Sequence, residues 1–146
     1  SLFWRMIEKE ILPYCQENTV TVLAYSSMAQ GLLTGRFEAG HKFKRGDNRS
    51  GNILFQKENF ERALAAVDQL RPIADKYGVT TGQLALAWVC SQKQVCAIAG
   101  ARNESQARAN AETLSLSLSA DDLDKIGEIG KIVTDHLDDR AVMWNW

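Results

Sequence analysis

The sequence predicts an α/β fold in which parallel strands are joined by helical crossovers. Two short apolar runs, residues 19–25 and residues 95–99, have the length of strands, and the first is rich in β-branched residues. Segments with apolar residues at helical spacing surround both runs. The order of elements is therefore helix, strand, long loop, two helices, strand and two helices, which is typical of a parallel sheet.

The first part of the chain contains one helix, one strand and a long loop. Apolar residues recur at helical spacing from Met6 to about Asn18, and the strand of residues 19–25 follows. From residue 26 to about residue 57 this periodicity disappears, while glycines and basic residues become frequent. A connection of this length is either a functional lid or a segment whose structure the pattern does not reveal.

A long helix is predicted after this loop. Its apolar face runs from Phe60 to Tyr77, and Gly78 is placed to end it. Pro72 lies inside the pattern, where it removes a backbone donor. We therefore expect the helix to be kinked or split after Arg71.

Pairs of capping residues mark the starts of three more helices. The pairs are Thr80 with Gln83, Asn103 with Gln106, and Ser119 with Asp122. The first helix is expected mainly to pack, the second to run through about residue 114, and the third through residue 129. Gly100 ends the second strand. In the irregular tail, we interpret Trp144 and Trp146 as packing anchors or, alternatively, as the lining of a substrate pocket.

Composition excludes several classes of function. The 17 Lys and Arg residues nearly balance the 18 Asp and Glu residues, which argues against a nucleic-acid or acidic-membrane binder. No apolar run approaches the ~20 residues of a membrane helix, and no leader peptide is expected. The three cysteines have neither CxxC spacing nor a nearby histidine. They indicate buried, reduced thiols in a cytoplasmic protein, with no metal site.

Two full strands, with residues 1–4 as the possible end of a third, leave both sheet edges open. A (β/α)8 barrel takes ~250 residues, so this chain corresponds to roughly the last three-eighths to one-half of one. We expect one unit over residues 1–146, the C-terminal part of a (β/α)8 TIM barrel with two to three parallel strands. Such a part would self-associate or pair with a missing N-terminal half.

The turns that follow the two strands are candidate sites, because ligands of α/β folds collect at the carboxyl ends of strands. In the first turn, Tyr25 can stack on a flat ring, and Gly31 lets backbone amides approach a phosphate. In the second, Arg102 lies between Gly100 and a capped helix, an arrangement that attracts phosphate. Each turn alone is also compatible with a structural loop. Together they fit the phosphate site often formed by the loops after strands seven and eight of a (β/α)8 barrel.

These residues resemble the C-terminal part of the aldo-keto reductase superfamily. The similar segments are residues 8–15, the helix before strand seven; residues 22–26 and 31–35, the strand-seven motif; and residues 100–103 with Gln106 and Asn110, the strand-eight cofactor motif. The resemblance implies NADPH-dependent reduction of a small-molecule carbonyl substrate, an aldehyde or a ketone. The family's catalytic Asp, Tyr, Lys and His lie in its N-terminal half, so no catalytic residue is expected here. An alternative is a noncatalytic NADPH-binding or interaction module, similar to the potassium-channel β subunits.

The resemblance also implies roles for residues of the first turn and the loop. Tyr25 matches the aromatic residue that stacks on the nicotinamide. The stretch that wraps the pyrophosphate is matched by Ser26, Met28, Ala29, Gln30 and Gly31. Arg36 and Arg49 match basic positions of the lid.

In the second turn, Gly100 and Arg102 match the residues at the adenosine 2′-phosphate, and Arg102 implies NADPH rather than NADH. Gln106 and Asn110 match residues that line the adenine ribose and ring.

Three positions depart from the family's pattern. Ser27 stands where the family usually has proline, so this turn is less preset, and Met28 replaces a leucine of similar volume. Ala109 stands where many relatives place a glutamate against the adenine amino group, so that contact is missing.

Overall fold

The structure of the chain is a computed structural model, and it describes residues 1–138 and Met143. The helices of this part are α1 (Ile11–Glu17), α2 (Lys57–Lys76), α3 (Thr81–Cys90), α4 (Glu104–Glu112) and α5 (Ala120–Thr134). The strands are β1 (Val22–Ala24) and β2 (Val95–Ala97). Trp144 and Trp146 lie outside the described residues, so their predicted role stays a prediction.

The two strands are parallel neighbours, which confirms the predicted α/β class. Val22 pairs with Val95, and Ala24 pairs with Ala97. Residues 1–4 do not form a third strand, because they turn back on themselves and bury their apolar side chains. Leu2 packs so closely on α5 that a Cβ added to Gly130 would lie 2.8 Å from Leu2 Cδ1. Residues 1–4 therefore pack on α5 and do not pair with the sheet.

The element boundaries near the first strand differ from the prediction. The first helix is interrupted, with a 3-10 turn at Met6–Glu8 before α1 begins. The strand covers three residues of the predicted run 19–25, and Thr19 before it has a φ of 58°. Because this is a left-handed conformation, the chain turns there and extends only later.

Of the predicted kink or split after Arg71, the split is wrong, because α2 continues through Pro72. Pro72 lacks one helical N–H, but the buried face continues on both sides of it, with Leu70 before and Ile73 after. This face packs along α5. The burial of its apolar residues therefore outweighs the lost hydrogen bond. Gly78 follows the helix with a φ of 65°, which confirms the glycine cap.

The three predicted N-terminal caps are present. Thr80 and Gln83 form a complete capping box on α3, and each accepts a hydrogen bond from the other's backbone N–H. Asn103 caps α4 and Ser119 caps α5. The α4 helix stops slightly short of its predicted end, whereas α5 continues past the predicted Ile129.

The long loop of residues 26–57 contains three 3-10 segments, Ala29–Thr34, Asn48–Gly51 and Ile53–Phe55. Segments this short give no helical repeat of apolar residues, so the sequence pattern did not reveal them. The first and last carry buried leucines, Leu32, Leu33 and Leu54, whereas residues 38–51 are mostly exposed. The loop is therefore anchored in the core at both ends.

One face of the sheet is open. Leu23 is 66% exposed and Ile98 is 52% exposed, while Ala24 on the opposite face is buried. The prediction that residues 95–99 form a buried strand is therefore wrong, because nothing in the described part of the chain covers this face. The thiols are free, but they are not buried as predicted. Cys96 is exposed on the open face, and Cys15 and Cys90 are half-buried.

Within the described residues, no helix is both long enough and apolar enough to span a membrane.

Candidate functional site

A cleft of about 630 Å³ lies at the carboxyl ends of β1 and β2. Its walls are the turn after β1, the turn after β2, and residues at the N-terminal ends of α3 and α4. Nine of the twelve predicted site residues line it: Ser26, Met28, Gln30, Gly31, Arg36, Gly100, Arg102, Gln106 and Asn110. The fold therefore brings the two candidate turns to one cavity.

The turn after β1 has an unusual backbone. Ser26, Ala29, Gln30 and Gly31 all have positive φ, between 49° and 90°. Left-handed residues reverse the chain tightly, so the turn curls back on itself at the cleft. Ser27, which replaces the family's usual proline, is buried and donates a hydrogen bond from Oγ to the Ala24 carbonyl at 2.7 Å. A side-chain bond thus fixes the turn where a proline ring would have restricted it.

Arg36 reaches back over this turn. A Cβ added at Gly31 would lie 2.7 Å from Arg36 Nη2, so the guanidinium lies directly against the glycine. The Arg36 Cζ atom is also 4.9 Å from the centre of the Phe37 ring, within the range of a cation–π interaction. Gly31 and Phe37 together hold the charged group at the cleft.

The turn after β2 is fixed by three hydrogen bonds. Gln106 Oε1 accepts from the Arg102 N–H at 2.9 Å, and Asn103 Oδ1 accepts from the Gln106 N–H at 2.9 Å. Asn110 Nδ2 donates to the Gly100 carbonyl at 3.2 Å. The Gln106 and Asn110 amides therefore shape the turn that carries Arg102.

The N-terminal end of α3 forms a wall that the sequence analysis did not assign. Thr80, Gly82 and Gln83 line the cleft. Gln83 Nε2 also donates to the Ala109 carbonyl at 2.9 Å, so this side chain joins α3 to α4. The capping box marks the start of the helix, which the sequence predicts mainly to pack. No sequence signal indicated which cavity the start of this helix faces, because that depends on how α3 packs.

Positive charge is concentrated around the cleft. Partial burial, together with the neighbouring charges of Arg49 and Arg102, lowers the pKa of Arg36. An arginine remains protonated at neutral pH even so. Two arginines, Arg36 and Arg102, line the cleft, and this positive charge indicates an anion as the ligand.

Three predicted site residues do not line the cleft. Tyr25 is half-exposed after β1, and Ala29 is fully buried. Arg49 pairs with Asp47 instead of facing the cavity. All three residues belong to the turn or the loop that follows β1, but their side chains are not part of the cleft wall.

The described residues contain no group of three potential metal ligands among His, Cys, Asp and Glu.

The chain is similar to proteins of known type. The model of the Aldo/keto reductase family matches residues 1–131. The chain is 36% identical over 131 residues to the aldo-keto reductase YhdN of Bacillus subtilis (strain 168), covering 88% of this chain and 40% of that protein. It is 33% identical over 132 residues to the NADH-specific methylglyoxal reductase of Escherichia coli (strain K12), and this match covers 90% of this chain and 40% of that protein.

A solved structure is also similar. The glycerol dehydrogenase AKR11B4 from Gluconobacter oxydans superimposes with a TM-score of 0.85 at 36% sequence identity. The match covers 97% of this chain and 43% of that one. The chain thus spans about two fifths of the length of the relatives it matches.

Proposed function

This chain belongs to the aldo/keto reductase family, and we propose that it is the C-terminal part that holds NADPH for the reduction of an aldehyde or ketone. The observation that carries the proposal is the cleft. Two turns predicted separately from the sequence meet there, and its lining contains two arginines and no carboxylate among the residues that the structure describes. A phosphate-bearing ligand suits this arrangement.

The lining residues fit a dinucleotide along the length of the cleft. The guanidinium groups of Arg36 and Arg102 can bind phosphates, and the capped N-termini of α3 and α4 add positive dipole ends. Gly100 leaves room for a ligand to approach the backbone, because a Cβ added there would meet no atom within 4 Å. Gln106 and Asn110 offer amides to the polar edges of a sugar or a base.

The choice of NADPH over NADH rests on Arg102. Its backbone is held by Gln106, and the residue is exposed at the mouth of the cleft. A guanidinium there can pair with a 2′-phosphate, which NADH lacks. Because one relative is named as NADH-specific, the proposal separates this chain from that protein.

The chain holds the cofactor but does not complete the reaction. When bound, NADPH supplies the hydride, and a protein acid must supply a proton to the carbonyl oxygen. Among the described residues that line the cleft there is no Tyr, Lys, His, Asp or Glu. We propose that the acid comes from the part of the barrel that this chain does not include.

The open sheet face supports a partner for this chain. Leu23, Ile98 and Tyr25 are each at least half-exposed, and a contiguous exposed apolar patch marks an interaction surface. We propose that this face pairs with the N-terminal half of the barrel, or with a second copy of the chain when that half is absent. The free thiol of Cys96 on this face agrees with a reducing, cytoplasmic setting.

Titration of the 146-residue chain with NADPH, followed by cofactor fluorescence, tests the proposal. We expect saturable binding that adenosine 2′,5′-bisphosphate competes away. The same preparation should not oxidise NADPH with any aldehyde, ketone or quinone above the blank. A chain that binds neither NADPH nor NADH would contradict the proposed cofactor role. Turnover would contradict the proposal that the catalytic acid lies outside this chain.

A further inference from the structure

Asp47 holds the second arginine of the loop in a two-point ion pair. Arg49 donates from Nε to Asp47 Oδ1 at 2.8 Å and from Nη2 to Asp47 Oδ2 at 2.5 Å. The Arg49 backbone N–H also donates to Oδ1, at 3.0 Å, so Asp47 caps the 3-10 segment Asn48–Gly51. The fork that could bind a phosphate is occupied by a carboxylate of the same loop.

Arg49 and Arg36 share an aromatic support. The Cζ atom of Arg49 is 5.0 Å from the Phe43 ring centre and 5.7 Å from that of Phe37, and the Cζ atom of Arg36 is 4.9 Å from the same Phe37 ring. Phe37 is buried and packs edge-on against Phe55 at 5.4 Å. One fixed ring therefore holds Arg49 near Arg36, the arginine that lines the cleft.

Positive charges outnumber negative charges around Arg36. Arg49 and Arg102 act on Arg36 as like charges, whereas Asp47 is the carboxylate that acts on it with the opposite sign. The side chains of Asp47 and Arg49 are both about one-fifth exposed. Because the pair stays in contact with solvent, a phosphate can reach the Arg49 guanidinium and compete with the carboxylate for it.

We propose that Asp47 is the internal counter-anion of the cluster formed by Arg36, Arg49 and Arg102, and that it competes with the phosphates of the ligand. Asp47 thereby limits the affinity of the cleft for phosphate-bearing ligands. It is a positioning residue, because it acts by holding the Arg49 guanidinium. This inference rests on the proposed function, because it takes the ligand of the cleft to be a phosphate ester.

The variant Asp47→Asn separates this role from a structural one. Asparagine is as good an N-cap as aspartate, and its Oδ1 can still accept from the Arg49 N–H, so the loop keeps its cap while the negative charge is lost. Asp68→Asn is the matched control. Asp68 also pairs with an arginine, Arg71, on the exposed surface of α2, and neither of these two residues lines the cleft.

The experiment measures the binding of adenosine 2′,5′-bisphosphate and of adenosine by calorimetry at low ionic strength. We expect Asp47→Asn to bind the bisphosphate about three- to tenfold more tightly, because the Arg49 guanidinium, freed of its carboxylate partner, becomes available to a phosphate. Adenosine binding should not change, and the gain should shrink as salt is added. In an Arg49→Ala background the gain should disappear, because Asp47 is proposed to act through that residue.

Other outcomes would overturn the inference. Unchanged or weaker bisphosphate binding by Asp47→Asn would mean that the carboxylate only holds the loop. An equal gain for adenosine, or a gain that persists in the Arg49→Ala background, would also contradict it. If the wild-type chain binds neither the bisphosphate nor NADPH, the proposed function fails together with the inference. If wild-type binding is normal and Asp47→Asn has no effect, the inference alone fails.

Discussion

The guanidinium of Arg36 lies against Gly31, in the space where any other residue would place its Cβ. The added atom would be 2.7 Å from Nη2 and 3.1 Å from Cζ of Arg36. Gly31 also has a φ of 90°, which L-residues rarely adopt. The position of Arg36 at the cleft therefore depends on a missing side chain.

Gly31→Ala should displace Arg36 and weaken NADPH binding by roughly tenfold, because one charge-assisted contact to phosphate is lost. The measurement is NADPH affinity by fluorescence titration, together with thermal unfolding. Gly40→Ala is the control, since Gly40 has a φ of 78° but no atom within 4 Å of an added Cβ. Both variants should lose stability, by about 1–2 kcal/mol from the left-handed backbone. A similar loss of binding in Gly40→Ala would show that strain, and not Arg36, is responsible.

Asp122 should make the stability of the fold sensitive to acid. Its carboxylate accepts from Lys76 Nζ at 2.6 Å, from Tyr77 Oη at 2.5 Å and from Ser119 Oγ at 2.7 Å, joining the end of α2 to the start of α5. These hydrogen bonds, with that from Lys76 the strongest, hold the pKa of Asp122 well below its usual range. A lowered pKa stabilises the fold at pH values above the unfolded value of about 3.9. This stabilisation is lost as the pH falls further, towards the lower pKa of the folded state.

Asp122→Asn should therefore lower the melting temperature at pH 7, and its melting curve should approach that of the wild type below about pH 4. Asp121→Asn is the comparison, because Asp121 is its exposed neighbour in the same first turn of α5. Thermal unfolding by circular dichroism across this pH range measures the effect. A difference between Asp122→Asn and wild type that stays constant down to pH 2 would contradict the account.

Local signals in the sequence predicted much of this fold. Ser119 and Asn103 correctly predicted where their helices begin, because capping depends on a few neighbouring residues. The sequence did not predict that α2 continues through Pro72, because the packing of its buried face, which includes Leu70 and Ile73, is a long-range effect that no local pattern contains. The exposure of Cys96 could not be predicted either, because a continuous apolar run gives the same pattern whether or not its partner is present.

In the candidate site, too, local motifs could be predicted from the sequence and long-range packing could not. Gly31 and Arg102 lie in short motifs, and the fold brings both to one cleft. Gln83 also carried a signal, the capping box, but that signal says only where the helix begins. Which cavity the helix N-terminus faces is decided by the packing of α3 against the 3-10 segment Ala29–Thr34, which the sequence did not reveal.

The open sheet face should make the isolated chain self-associate. Leu23→Lys should weaken this association by roughly tenfold or more, since burial of a leucine side chain contributes about 1.5–3 kcal/mol. Sedimentation velocity over a range of concentrations is the measurement. Leu114→Lys is the control, because Leu114 is 78% exposed but follows α4 rather than lying on the sheet. A wild-type chain that sediments as a compact monomer would contradict the prediction.

The selectivity of the cleft for NADPH over NADH in the Arg102→Ala variant tests the central claim most directly. Charge-assisted hydrogen bonds contribute about 1.5–3 kcal/mol each, so this variant should bind NADPH roughly 10- to 100-fold more weakly. NADH has no 2′-phosphate to lose and should be nearly unaffected. Arg108→Ala should leave both affinities unchanged, because Arg108 lies on α4, the helix that follows Arg102, pairs with Glu104 and does not line the cleft. Equal losses for NADPH and NADH in Arg102→Ala would mean that Arg102 holds the turn and does not bind the phosphate.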